Sequence, residues 1–235
     1  MKITEPNKQI VTGFARLITG FGEKYNRFKI NGLEHVPKEG AALIVMYHGL
    51  VPLDFWYMGL KIYLETGRLP RALADRWLFN TPGLAWLARN LGVVSADPTI
   101  AAELLKTGEL VGVAPGGVRE AIKGQKNKYR LVWGKRQGFA KLALQVGVPI
   151  IPGFTENVEG LYHAPFAEAP FFQKLYEKTR LPLVPIVGLG PLPFPVQLTT
   201  WFGPPILPQT NESVASLAGR TQTAIEALIH KHQKL

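Results

Sequence analysis

A run of seven consecutive hydrophobic residues at positions 41–47, AALIVMY, fixes the architecture of this chain. The run is short for a helix, and the turn residues Pro37 and Gly40 precede it, so it predicts a β-strand. Because neither face of that strand carries a charged side chain, both faces must be covered by other parts of the chain. Such strands are typical of sheets that have helices packed on both sides.

Helical and strand patterns alternate along the rest of the sequence. Asp97 and Pro98 are typical of a helix N-terminus, and Gly108 is typical of a helix end. Apolar runs at 110–114 and 148–154 predict two more buried strands, and helices are predicted at 10–25, 53–64, 135–146 and 213–231. The fold class is therefore α/β, a single domain with a central, mostly parallel or mixed β-sheet flanked by helices.

Composition limits the classes of partner and of chemistry. The 235 residues carry a formal net charge of +10, which favours anionic partners such as lipid headgroups, phosphate-bearing cofactors or nucleic acid. We expect no nucleic acid partner, because no recognised reading module is present. The chain has no cysteine, and its histidines show no metal-ligand spacing, so we expect no metal. Prolines interrupt the longest uncharged stretch, 181–211, and exclude a membrane-spanning helix there.

The first candidate site follows the apolar run and reads YHGLVPLD at 47–54. His48 ends the predicted strand, and Asp54 stands at the start of the next predicted helix. This spacing would let Asp54 accept a hydrogen bond from one imidazole nitrogen and leave the other nitrogen basic. Gly49 would let a substrate approach the backbone closely. The alternative is a loop histidine beside an aspartate that only caps a helix.

The second candidate site follows the strand at 110–114 and consists of Pro115, Gly116, Gly117, Val118, Arg119 and Glu120. A strand that ends in a Gly-Gly turn exposes backbone N–H groups, and Arg119 adds a cation, so the turn suits an oxyanion or a phosphate. Lys135 and Arg136 belong to the basic stretch 119–141 behind it. An ordinary tight turn with a solvated basic face is the competing interpretation.

The ordered set of motifs resembles the lysophospholipid and glycerolipid acyltransferase superfamily, over residues from about Val36 to Pro208. Within it, the chain is similar to the branch of monoacylglycerol and diacylglycerol acyltransferases. The phrases that carry the resemblance are YHGLVPLDFWY, VAPGGVREA and KRQGFAKLALQVGVPIIPGF. The chain departs from the phospholipid-making members at two points. Five residues rather than four separate His48 from Asp54, and the glutamate that precedes the glycine in their turn is missing here, where Gly116 precedes Gly117.

The resemblance implies an O-acyltransferase that moves a fatty acyl group from an acyl thioester to a hydroxyl group. His48 would be the general base, Asp54 would orient its ring, and Arg119 would hold a polar end of a substrate. Gly49, Pro115, Gly116, Gly117, Glu120, Lys135 and Arg136 complete the substrate-binding candidates. Both departures favour a neutral acceptor such as mono- or diacylglycerol. A lysophospholipid or glycerol-phosphate acyltransferase, an acyl-ester or thioester hydrolase and a membrane-surface lipid-binding module remain as alternatives.

The sequence pattern and the resemblance together divide the chain and indicate its partners. Residues 1–30 are expected to form an N-terminal amphipathic helical segment, and residues 31–235 the acyltransferase domain. Acyl-coenzyme A or an acyl carrier protein would be the donor substrate, with no further cofactor. Because the N-terminus lacks an apolar signal core, we expect a cytoplasmic protein that associates peripherally with a membrane surface.

Overall fold

The apolar run at 41–47 forms the fully buried middle strand of a seven-stranded sheet. The structure, a computed structural model, describes residues 3–81, 83–117, 120, 128–179 and 184–234. Its strands are β1 (Lys29–Asn31), β2 (Ala42–Met46), β3 (Arg71–Ala74), β4 (Val94–Ser95), β5 (Leu110–Val113), β6 (Ile150–Glu156) and β7 (Thr199–Phe202). Its helices are α1 (Lys8–Tyr25), α2 (Leu53–Thr66), α3 (Trp77–Asn80), α4 (Leu84–Asn90), α5 (Pro98–Lys106), α6 (Gly138–Val146), α7 (Pro170–Thr179) and α8 (Val214–His232).

The sheet has the strand order β1-β7-β6-β2-β5-β3-β4. Neighbouring strands are parallel except for β6 and β7, which are antiparallel. In register, Val45 of β2 lies opposite Val113 of β5 on one side and Pro152 of β6 on the other. The carboxyl ends of these three strands therefore meet at one edge of the sheet, the position where parallel sheets bind ligands.

Side chains of β2 alternate between two hydrophobic cores, one on each face of the sheet. Leu43 and Val45 belong to the core that contains residues of α5, α6 and α8. Ile44 and Met46 belong to the core that contains residues of α2 and partly buried residues of α1. This three-layer arrangement confirms the α/β class and explains why the middle strand tolerates no polar side chain.

Local sequence rules account for several helix boundaries. The Asp97 carboxylate accepts a hydrogen bond from Thr99 N–H at 2.9 Å, and Ser213 Oγ accepts one from Ser216 N–H at 3.1 Å. The helix predicted at 135–146 begins instead at Gly138. The chain turns before it, at Gly134 with a φ of +54°, and residues 135–137 remain outside the helix.

The N-terminal helix α1 packs against α2. Thr12 Oγ1 lies 2.9 Å from Tyr63 Oη, and the rings of Phe14 and Trp56 meet edge-on with their centroids 6.0 Å apart. Both α1 and α2 lie within the described residues, where no helix is long and apolar enough to cross a bilayer.

Candidate active site

His48 follows β2 at the carboxyl edge of the sheet and is partly buried. Its Nδ1 lies 2.6 Å from the carbonyl oxygen of Gly49. A carbonyl can only accept, so Nδ1 carries the proton and Nε2 keeps its lone pair. Burial lowers the pKa of the His48 imidazole, and the bond to Gly49 opposes that shift. The ring is therefore neutral at neutral pH and can accept a proton through Nε2.

Asp54 lies in the first turn of α2 and is completely buried. Burial raises the pKa of its carboxyl group to about 8, whereas backbone N–H groups, that of Gly49 among them, act in the opposite direction. The bond predicted between Asp54 and the imidazole is absent from the described residues, because the Gly49 carbonyl takes the Nδ1–H group. Neither Asp54 carboxyl oxygen forms a hydrogen bond of normal geometry within the described part of the chain.

Gly49 and Phe55 shape the walls around the imidazole. A Cβ atom at Gly49 would lie 2.7 Å from Cγ2 of Val158, so only glycine fits beneath the turn that follows β6. The Phe55 ring stands edge-on to the His48 ring with centroids 6.4 Å apart, and it also covers Gly112 of β5. Phe55, packed over Gly112 of β5, and the turn after β6 therefore both restrict the space around His48.

The glycine turn follows β5, immediately beside the end of β2. Gly117 N–H donates to Ala114 O at 3.1 Å and closes the turn. One guanidinium nitrogen of Arg136 donates to Pro115 O at 3.2 Å and to Gly116 O at 2.7 Å. Since Gly117 N–H is engaged within the turn, Gly116 N–H is the remaining oxyanion candidate of the predicted pair.

Glu120 is buried against the same turn. Its Oε1 accepts a hydrogen bond from Val132 N–H at 2.6 Å, and a Cβ atom at Gly116 would lie 1.7 Å from its Cδ. The carboxylate therefore ties the glycine turn to the segment around Val132. Lys135 is exposed to solvent, and the predicted anion ligand Arg119 lies outside the described residues.

The site contains a polar group that the sequence reasoning missed. Tyr47 Oη donates a hydrogen bond to Glu159 Oε1 and accepts one from Tyr129 N–H at 3.3 Å. Glu159 N–H in turn donates to Tyr129 Oη at 3.3 Å. Glu159 belongs to the 3₁₀ turn Val158–Gly160, which follows β6. Its position just after a predicted strand was the sequence signal that could have identified it.

Comparison with known proteins shows the family of this chain. The family model described as Acyltransferase matches residues 27–155, more than half of the chain. The chain belongs to the acyltransferase family. The matched region contains His48, Asp54 and the glycine turn, so both predicted sites lie inside it.

Individual relatives are similar to this acyltransferase over most of its length. Proteins named "DGAT1/2-independent enzyme synthesizing storage lipids" from Bos taurus and Homo sapiens are each 38% identical over 94% of this chain. The chain spans 64% of the bovine protein and 66% of the human one. The crystal structure of the 1-acyl-sn-glycerophosphate acyltransferase PlsC from Thermotoga maritima has the same fold, with a TM-score of 0.63 and 19% identity. That match covers 95% of this chain and 82% of the other.

Proposed function

We propose that this acyltransferase transfers a fatty acyl group from an acyl thioester to a hydroxyl group of a neutral lipid, with His48 as the general base. The observation that carries the proposal is the bond between His48 Nδ1 and Gly49 O. That bond selects the tautomer in which Nε2 is the proton acceptor. A positioned base of this kind contributes ~10²–10⁴-fold to a rate.

The proposed reaction has one addition and one elimination. Nε2 of His48 takes the proton of the acceptor hydroxyl while that oxygen bonds to the thioester carbonyl carbon. The carbonyl oxygen becomes an oxyanion, for which Gly116 N–H is the proposed donor. The C–S bond then breaks, and His48 returns the proton to the departing sulfur. The ester and the free thiol are the products.

Asp54 supports the base through electrostatics in this scheme. Burial raises the pKa of its carboxyl group to about 8. A positive charge that develops on the ring favours the ionised form of a nearby carboxyl group, so the two groups stabilise each other during proton transfer.

A neutral acceptor is favoured over a phosphate-bearing one. Five residues rather than four separate His48 from Asp54, and the glutamate before the turn glycine is missing. The mammalian relatives are named for the synthesis of storage lipids. Together these features support mono- or diacylglycerol as the acceptor class.

The donor proposed is acyl-coenzyme A or an acyl carrier protein, with no additional cofactor. Cations follow the glycine turn along the described segment, at Lys128, Arg130, Lys135, Arg136 and Lys141. Both donor types carry phosphate, and the carrier protein adds carboxylates, so this basic segment complements either donor.

We also propose that the protein works at a membrane surface. The apolar segment, defined as residues 184–196, contains no charged residue, and Ile186, Val187, Leu189 and Leu192 are each 44–50% exposed. Leu50, two residues after His48, packs in the same small cluster as Val184. An exposed apolar surface beside the catalytic loop suits a lipid interface, from which a water-insoluble acceptor would enter.

The function is tested by presenting labelled acyl-coenzyme A together with diacylglycerol, monoacylglycerol or lysophosphatidic acid. We expect label in triacylglycerol or diacylglycerol, and a much lower rate with lysophosphatidic acid. A rate confined to lysophosphatidic acid would identify a phospholipid-synthesising enzyme. Free fatty acid as the sole product would identify a hydrolase, and vesicle binding without turnover would identify a lipid-binding module.

A further inference from the structure

The three-membered polar group behind His48 joins segments that are far apart in sequence. Tyr47 precedes the catalytic histidine, Tyr129 lies in the segment after the glycine turn, and Glu159 follows β6. Each member bonds to the other two through Tyr47 Oη, Tyr129 Oη and the Glu159 carboxylate or N–H group. We propose that Glu159 is a positioning residue with two roles. It fixes the strand end that carries His48, and it links that strand end to the segment that holds the glycine turn in place.

The first half of the proposal concerns the His48 loop. Glu159 accepts a hydrogen bond from Tyr47, the residue immediately before His48. One residue before Glu159, Val158 presses on Gly49, the residue immediately after His48. The turn Val158–Gly160 therefore contacts the chain on both sides of the histidine. With one contact on each side of His48, the backbone to which the imidazole is attached has less freedom to move.

The second half concerns the glycine turn. The Tyr129 ring packs between the rings of Tyr47 and Phe154, at centroid distances of 5.8 Å and 5.7 Å. Three residues later, Val132 N–H binds the Glu120 carboxylate, which packs against Gly116. The contacts thus run from the general base to the proposed oxyanion donor.

The backbone of Tyr129 supports a role beyond ordinary packing. Its φ is +60°, in the left-handed region that a bulky residue rarely adopts. Such a conformation is unfavourable for a residue other than glycine and persists where the surroundings enforce it. Here the conformation directs Tyr129 N–H to Tyr47 while the ring hydroxyl receives Glu159 N–H.

The hydrogen bonding of the Glu159 carboxyl group is the second supporting observation. Burial raises the pKa of this group, and the hydrogen bond from Tyr47 and the charge of Lys128 oppose that shift. Burying a carboxyl group is costly unless it is hydrogen-bonded or paired, and the Tyr47 hydroxyl supplies such a bond. Glutamine would accept the Tyr47 bond equally well, so it separates the contribution of the bond from that of the charge.

The test compares Glu159→Ala, Glu159→Gln and Tyr47→Phe with the control Tyr57→Phe. Tyr57 is an equally buried tyrosine whose hydroxyl binds Asn26 Oδ1 at 3.1 Å, away from the proposed network. Two experiments are performed on each folded variant. Steady-state kinetics gives kcat and KM for acyl transfer, and imidazole ¹⁵N shifts give the tautomer of His48. Circular dichroism and denaturant unfolding establish the folded fraction.

We expect Glu159→Ala and Tyr47→Phe to lower kcat by about 10- to 100-fold with little change in KM, because a small displacement of the base has that effect. Both variants should mix the two imidazole tautomers. Glu159→Gln should recover most of kcat and the single tautomer. A Glu159→Ala variant with the kcat and tautomer of the Tyr57→Phe control would overturn the proposal.

The proposal rests on the acyl-transfer role of His48, but the two can fail separately. If the unaltered protein transfers no acyl group, the proposed function is wrong. The ¹⁵N measurement then decides the positioning role alone. A tautomer mixture in Glu159→Ala supports that role, and an unchanged single tautomer removes it.

Discussion

At the scale of single residues, one carbonyl oxygen determines which imidazole nitrogen can act as a base. Gly49 O accepts from His48 Nδ1, and the same glycine lies beneath Val158. The sequence identified His48, Gly49 and Asp54 as neighbours, because a strand end and a helix start bracket them. It could not predict that the Gly49 carbonyl, rather than Asp54, would take the Nδ1–H group, since the course of the loop depends on Val158, more than a hundred residues later.

A substitution at Gly116 should disrupt the glycine turn and leave the rest of the fold in place. The methyl group in Gly116→Ala would displace the Glu120 carboxyl group and weaken its bond to Val132 N–H. We expect a loss of about 1–3 kcal/mol in the free energy of unfolding. Because the oxyanion donor would move, kcat should fall by about 10- to 100-fold.

Gly59→Ala is the matched control for that substitution. Gly59 lies inside α2 with nothing within 4 Å of an added Cβ atom. Alanine there should stabilise the protein by about 0.5–1 kcal/mol and leave kcat unchanged. Denaturant unfolding and steady-state kinetics measure both effects. Wild-type kcat in Gly116→Ala would show that the turn takes no part in catalysis.

At the scale of elements, register brings the two candidate sites together. The parallel pairing of β2 with β5 and β6 was implicit in their apolar sequences, and the structure confirms it. The short strands β1, β3, β4 and β7 were missed. β3 begins with the buried Arg71, and β7 lies inside the uncharged stretch that prolines interrupt. These short segments form strands because they pair with neighbouring strands, and such pairing cannot be predicted from the local sequence.

The apolar segment 184–196 is the element whose proposed role can be tested separately from catalysis. Replacing Ile186 and Leu189 together by serine removes two exposed apolar side chains beside the catalytic loop. We expect binding to anionic vesicles to weaken at least tenfold, since each buried side chain of this size contributes about 1.5–3 kcal/mol. Vesicle co-sedimentation measures the loss.

Leu207→Ser provides the control for membrane binding. Leu207 is 63% exposed, but its neighbour Ile206 pairs with Ile150 at the opposite edge of the sheet from His48. This variant should bind vesicles like the unaltered protein, and added salt should weaken binding for both. Equal losses in the two serine variants would contradict a membrane-facing apolar segment.

At the scale of the whole molecule, one edge of the sheet combines a base, a backbone turn, a basic segment and an apolar surface. The charge of +10 indicated anionic partners without locating them. The parallel strands bring His48 and the glycine turn to the same edge. The basic segment follows that turn along the chain, and Leu50 lies in the same cluster as Val184, where the apolar segment begins. The polar network of Tyr47, Tyr129 and Glu159 emerges only at this scale.

The most direct test of this account is the rate of acyl transfer by His48→Ala beside a His230→Ala control, measured with labelled acyl-coenzyme A and diacylglycerol. His230 is exposed on α8, so its loss should leave kcat unchanged. Removing His48 should lower kcat by at least ~10²-fold, because the acceptor hydroxyl then has no base. Transfer by folded His48→Ala at the wild-type rate would contradict the central role of this histidine.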